Sequence, residues 1–348
     1  MNPDEKSISE TNITEVVDKS LGGKTNVIMD SQILTSLMKC PRLSDFRFNL
    51  NLLSLDGKSN SLECGSIVHK FLEVYYGTQI KGISKAQAAG FGFAAANLYI
   101  QGCKFCTDFR PFEIVDDTTQ LVTKVDTPVC GHKVDEYEGV KNTPKDSEEY
   151  RIGWQYVLET IDQYLDYYKN DYWIPLEVEV VKGKILYEDS EIRILWKAKL
   201  DWVGDTNQGI FPMDHKTMKQ NRPTISLKNQ FMGQSLLMGT QGVIINKIGF
   251  QKTLPAKEKF IRPMVNFSIA RQLEWQSEIL PFWAKQLVMY AEGGYWPPNW
   301  ESCEGRYGMC SYSNVCSGDS DDRERLLKEE FYTGETWDIT NDIPEVGE

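Results

Sequence analysis

Two acids and a lysine carry the first chemical signal in this chain. In the segment KAKLDWVGDTNQGIFPMDHKTMK, Asp201 lies in one candidate strand and Asp214-His215-Lys216 ends the next. Side chains alternate faces along an extended strand, so Asp214 and Lys216, two apart, project to the same side. A short turn between the strands would bring both carboxylates and the ammonium to one region of a sheet. Carboxylate oxygens suit hard divalent cations such as Mg²⁺ and Mn²⁺, and a lysine beside such an ion can orient a water or stabilise charge on a phosphate. A bare D-x-K is far more often a surface ion pair on an edge strand. The apolar run Ile210-Phe211-Pro212-Met213 ahead of Asp214 favours an acid at the end of a buried strand. Glu177 and Glu179 are further acids in the strand before, Glu179 being the weaker catalytic candidate because alternating glutamates commonly mark a half-exposed strand.

The second signal is sulfur. Cys303-x6-Cys310-x5-Cys316 lies in a loop rich in Gly, Ser and Tyr, and three thiolates need a fourth to complete a tetrahedral set, for which Cys40 is the outstanding candidate. Thiolates suit iron-sulfur clusters and zinc alike, so ligand type leaves both open, beside simple burial of free thiols. Cys103-x2-Cys106 with Cys130-x-His132 forms a second set that could take zinc, while Cys64 has no partner by spacing and reads as a packed residue.

These groups need elements to hold them. Asp30 or Ser31 can cap a short helix over Gln32 to Met38, and near-alternation predicts a strand from Phe46 to Ser54. Ser61 to Tyr76 spaces Ile67, Val68, Phe71, Leu72 and Tyr75 helically, which puts His69 on a helix but off its apolar stripe. Lys85 to Ile100 and Glu148 to Asn170 also read as helices. Three strands follow, Leu176 to Leu186, Ile192 to Gly204 and Gly209 to Asp214. A helix from Ile225 to Thr240, strands at Val243 to Gln251 and Lys259 to Ile269, and a long helix from Arg271 to Ala291 complete the pattern. Strands flanked by helices on both sides in sequence imply one α/β domain around a mixed central sheet.

Composition sets the limits. The 348 residues are 41% hydrophobic and 25% charged, which excludes a disordered or fibrous chain. No apolar run approaches the roughly 18 residues of a membrane span, and MNPDEKSISE lacks a basic or apolar leader, so no membrane association and a cytoplasmic location are expected. Net charge is -12, which argues against a broad basic surface for duplex DNA. Residues 317–348 hold -8 of it and form an acidic tail in which Phe331, Tyr332 and Trp337 could anchor a protein partner. Residues 1–29 read as a flexible arm, 30–316 as the main domain, and about 102–145 as an insertion.

GSIVHKFLEVYY, KLDWVGD, MDHKT and the following helix together resemble the RecB-like branch of the PD-(D/E)XK nuclease superfamily, which includes phage and CRISPR-associated iron-sulfur exonucleases. The resemblance implies a restriction-endonuclease-like core and a Mg²⁺- or Mn²⁺-dependent deoxyribonuclease, an exonuclease on DNA ends or single strands. It implies that His69, Asp201 and Asp214 bind the metal, with the main-chain carbonyl of His215 as a further oxygen. Lys216 would assist the water and Gln230 would be the helix glutamine; a tyrosine expected four residues later is Gln234 here. CPRLSDFRF from Cys40 resembles the first cysteine of that branch, so Cys40, Cys303, Cys310 and Cys316 would hold a structural [4Fe-4S] cluster. The alternative is a catalytically silent DNA-binding or assembly protein that keeps fold and cluster.

Overall fold

Apolar runs in the second half of the chain build a sheet, and the helices on either side in sequence cover its two faces. The computed structural model describes residues 17–18, 24–54, 60–101, 109–115, 122–128, 152–219, 228–305 and 308–333. It begins with β1 (Val17–Asp18) and β2 (Thr25–Met29), then α1 (Ser31–Lys39) and the short strand β3 (Leu52–Ser54). Helices α2 (Asn60–Ile80) and α3 (Lys85–Gln101) are followed by a hairpin of β4 (Phe109–Val115) and β5 (Val122–Pro128), and by α4 (Trp154–Tyr167). Next come β6 (Ile174–Glu188), β7 (Ile192–Thr206), β8 (Gly209–Met218), α5 (Asn229–Met238), β9 (Gly242–Gly249), β10 (Phe260–Ile261), β11 (Met264–Asn266) and α6 (Leu280–Gly293). A small hairpin of β12 (Glu304–Gly305) and β13 (Gly308–Met309), then α7 (Ser320–Glu330) and β14 (Phe331–Thr333), end the described part.

Among the described residues the main sheet has eight strands in the path β1-β2-β7-β8-β9-β10, with β6 on β7 and β11 on β9. It is mixed as expected: β2 with β7 and β8 with β9 are parallel, whereas β6-β7, β7-β8 and β9-β10 are antiparallel. The β6-β7 connection turns at Asp189, whose Oδ1 accepts from the amides of Glu191 and Ile192. One core joins α1, α5 and α6 to the sheet around Trp196, Val243 and Ile245. The other joins α2, α3 and α4 around Trp202, Met213 and Ile244. No described helix is long and apolar enough to cross a membrane.

Four expectations change. Order starts before residue 30: Val27, Ile28 and Met29 are buried in β2, and a parallel strand covered on both faces is a continuous apolar run with no alternation to read. Phe46 to Ser54 is a strand only from Leu52; before it, Asp45–Asn49 is a π-helical turn that carries Phe46 inward against Tyr312. Lys259 to Ile269 is cut into β10 and β11 at Pro263, which has no amide for a ladder. The described start of the acidic tail docks within the chain: β14 pairs with β3, and Phe331 stacks on Tyr312 at 4.7 Å instead of presenting itself to a partner. Cys103, Cys106, Cys130, His132 and Trp337 lie outside the described residues.

Candidate metal centre and cysteine pocket

Helix α2 comes close to the sheet where it has no side chain. A Cβ at Gly65 would stand 3.1 Å from Thr217 Oγ1 on β8, so the glycine lets α2 lie against β8 one turn before His69. The His69 ring thereby reaches the sheet. Its Nε2 lies 3.2 Å from the carbonyl oxygen of His215, an atom that only accepts, so Nε2 carries a proton. Its Nδ1 faces two carboxylates, 3.8 Å from Asp201 Oδ2 and 4.0 Å from Glu179 Oε1. These three side chains offer ligand atoms all within 4.8 Å of one another, the one such group among the described residues.

Strand register explains the pairing of the acids. Val178 pairs with Trp202 and Val180 with Leu200, which sets Glu179 directly across from Asp201. Glu179 adopts φ 51°, a left-handed conformation rare for a residue with a side chain. Its second oxygen takes Lys199 Nζ at 2.8 Å. Asp201 Oδ2 also accepts the backbone N–H of His215 at 2.8 Å, so the amide and carbonyl of one residue hold Asp201 and His69.

Asp214 stands beside this group, its side chain almost fully buried. Lys216 Nζ approaches its two oxygens at 3.0 and 2.7 Å, as two-residue spacing on β8 predicts, and Gln230 Nε2 donates to Oδ1 at 2.6 Å. Gln230 reaches it from the first turn of α5, which seats on the sheet through Gly233: a Cβ there would meet the Trp196 ring at 2.2 Å. The side chain of Gln234 is buried, and its Oε1 has no hydrogen-bond partner among the described residues.

The electrostatics follow from crowding. Burial, then the nearby Asp214, push the Asp201 carboxyl up to about 6 despite His69 and the His215 amide. Burial opposes charge on His69, but Glu179, Asp201 and Asp214 together raise its pKa above the ordinary value. Glu179 is also opposed by burial and still ends below the usual carboxylate range, because His69 and Lys199 stabilise its charge. The His215 ring, fully buried and near His69, Arg262 and Lys216, is held neutral.

Thus the structure gathers His69, Asp201, Asp214, the His215 backbone, Lys216 and Gln230, and adds Glu179 as a full member. Nothing in the alternation of β6 separates Glu179 from Glu177, which pairs with Lys182 instead; the signal that could have found it is its register opposite Asp201.

Cys40, Cys303, Cys310 and Cys316 line one pocket together with Lys39, Leu43, Phe46 and Tyr312. Cys40 caps the end of α1, and the Asn299 amide donates to its Sγ at 3.3 Å, so the two ends of the domain meet here. No three of the four sulfurs lie within 4.8 Å of one another. Burial raises the Cys303 and Cys316 thiols, with the other cysteines of the pocket adding to the effect. Cys64 is fully buried in the second core, as its spacing suggested.

No protein family matches the chain, and no curated protein matches it. Among solved structures, a candidate exonuclease from Eubacterium rectale superposes with a TM-score of 0.41 at 12% identity, covering 80% of this chain and 86% of its own. The protein SSO0001 does so with a TM-score of 0.27 at 16% identity, covering 47% of this chain and 70% of its own. Both superpositions are distant, and the side chains alone bear on activity.

Proposed function

We propose that the chain is a metal-dependent deoxyribonuclease that hydrolyses phosphodiester bonds at DNA ends or in single strands, a RecB-like member of the PD-(D/E)XK superfamily. One observation carries the reading. His69, with its proton fixed on Nε2, turns the lone pair of Nδ1 toward the carboxylates of Glu179 and Asp201, and three acceptors converge stably only around a cation. A proton on Nδ1 meets that need while the imidazole is charged. A divalent cation fits the same nitrogen-and-oxygen donor set, with the hard oxygens favouring Mg²⁺ or Mn²⁺.

When bound, such an ion supplies Lewis acidity toward a phosphate and a water nucleophile at neutral pH. The chain's own groups do the rest. The His215 amide aims Asp201; Gln230 and Lys216 hold Asp214; and the Lys216 ammonium, part exposed, offers positive charge to the oxygens of a phosphate as it is attacked.

The cysteine pocket is part of the proposal, as the seat of a [4Fe-4S] cluster. Four thiols lining one pocket offer the four-cysteine ligand set that such a cluster takes. Arg42 and Lys39 nearby offset the negative charge of such a group.

The test is anaerobic purification followed by absorption spectroscopy and incubation with end-labelled single-stranded and duplex DNA, with and without Mn²⁺. Brown protein that cleaves only with the metal is the expected result. Brown protein that binds DNA and never cleaves it would reject the nuclease.

A further inference from the structure

The His215 side chain points away from the metal centre that its backbone serves, and it is held there by a hydrogen-bonded chain. Arg262, in the link between β10 and β11, starts it: a guanidinium only donates, and its Nε lies 3.2 Å from Asn246 Oδ1, which identifies that atom as the amide oxygen. Asn246 Nδ2 then donates both its protons, to Tyr164 OH at 2.9 Å and to His215 Nδ1 at 2.9 Å. His215 Nδ1 is therefore an acceptor, and the ring is the neutral tautomer protonated on Nε2. Tyr76 of α2 stacks on the same ring at 6.0 Å with only 13° between planes.

Arg262 is itself immobilised. It pairs with Asp171, donates to Tyr164 OH at 2.7 Å and Tyr76 OH at 3.3 Å, and lies over the rings of Tyr168 and Trp173 at 3.7 and 4.7 Å. Every one of its partners comes from a different element than β8. Burial alone would be served as well by an apolar residue at 215, because Nε2–H finds no acceptor among the described residues. The Nδ1 bond is what the histidine adds.

We infer that Arg262 and Asn246 are positioning residues for the metal centre, acting through His215: they lock the ring, the ring locks the backbone of β8 at this residue, and that backbone holds Asp201 by its amide and His69 by its carbonyl. The functional part of this rests on the nuclease reading; the tautomer does not.

The test compares wild type, Asn246→Asp and Arg262→Lys. Asn246→Asp replaces the donor facing Nδ1 with an acceptor at nearly constant shape, and Arg262→Lys keeps the charge and removes the Nε fork. Wild type should show His215 protonated on Nε2 in ¹⁵N spectra, and Asn246→Asp should move the proton to Nδ1. Each variant that melts cooperatively should bind Mn²⁺ about 10- to 100-fold more weakly and lose kcat at fixed Mn²⁺ with KM for DNA little changed, the size expected when a group that orients ligands is lost. A moved proton with Mn²⁺ binding and kcat at wild-type levels would overturn the inference, as would a wild-type ring protonated on Nδ1. Should Asn246→Asp fail to fold, Arg262→Lys decides by the same two measurements. Wild type that neither binds Mn²⁺ nor cleaves would reject the nuclease reading, and the nitrogen spectra would still decide the tautomer.

Discussion

Glu179 holds φ at 51° while facing Asp201 squarely across two strands, and both the backbone conformation and the like-charge pair are unfavourable unless something offsets them. Lys199 and His69 do so in part, and a metal ion would complete it. Glu179→Gln should therefore raise the Mn²⁺ concentration for half-maximal cleavage by about tenfold or more. Lys216→Ala should instead abolish turnover with Mn²⁺ binding retained, since the role proposed for its ammonium is at the phosphate and an ammonium is no metal ligand; isothermal titration beside cleavage assays separates the two. Asp30 makes a different residue-scale case. It caps α1 by accepting from the amides of Gln32 and Ile33, yet burial raises its pKa to about 6. A folded pKa above the unfolded one means that the folded state binds the extra proton, so this contribution to stability is complete below about pH 4 and is lost as pH rises through about 6. Full loss amounts to about 2–3 kcal/mol at neutral pH. Asn caps as well as Asp, so Asp30→Asn should melt higher than wild type at pH 7.5 and should flatten the fall in melting temperature between pH 4 and 7. Equal melting curves at pH 7.5 would contradict this.

At the scale of elements, glycines decide which helix touches which strand. Gly65 admits α2 to β8, and Gly233 seats α5 on the Trp196 ring, with Gln230 one turn earlier on Asp214. Gly233→Ala forces a methyl into that ring, and lifting α5 to relieve it withdraws Gln230. The expected cost is about 1–3 kcal/mol, with cleavage per folded molecule also reduced. Gly239, with φ 63° at the other end of α5 and open space around it, gives the control. Gly239→Ala should cost about 1 kcal/mol through backbone strain and leave the rate per folded molecule unchanged. If both variants kept the wild-type rate, the seat of α5 would have no part in the site.

Across the whole molecule, the cysteine pocket joins the end of α1 to the segment after α6, and Phe331 packs on Tyr312 at its wall. Tyr312 lies between Phe46 and Phe331 and donates to the Leu52 carbonyl, with Val315 and Cys316 in the same small core. Cys316→Ser should bleach the brown absorption near 400 nm, and so should Cys40→Ser. Deleting residues 319–348 removes Phe331 and strips β3 of its partner strand, so the truncation should lose iron during purification even though all four cysteines remain. Phe331→Ala should go the same way, costing about 3 kcal/mol. A truncation that holds its iron as tightly as the full chain would show that the tail lies outside this core.

The chemistry-bearing residues were legible because their types and spacing are local facts: two-residue spacing on a strand aims Asp214 and Lys216 together, and helical period sets His69 on α2. The fold class was legible for the same reason, since alternation and helical period are written within short windows. What needed the folded chain is everything that depends on register and on contacts between distant segments. Glu179 became a member of the site because β6 aligns it with Asp201, a match that a shift of one residue would undo. Arg262 and Asn246 gained a place because β9 pairs with β8 beside the His215 ring and the β10–β11 link folds back onto Asn246. The strand at Thr25–Met29 and the docking of Phe331 were hidden for a related reason: a short apolar run beside polar neighbours reads as loop or tail until a partner strand supplies the other half of its hydrogen bonds and the other wall of its core.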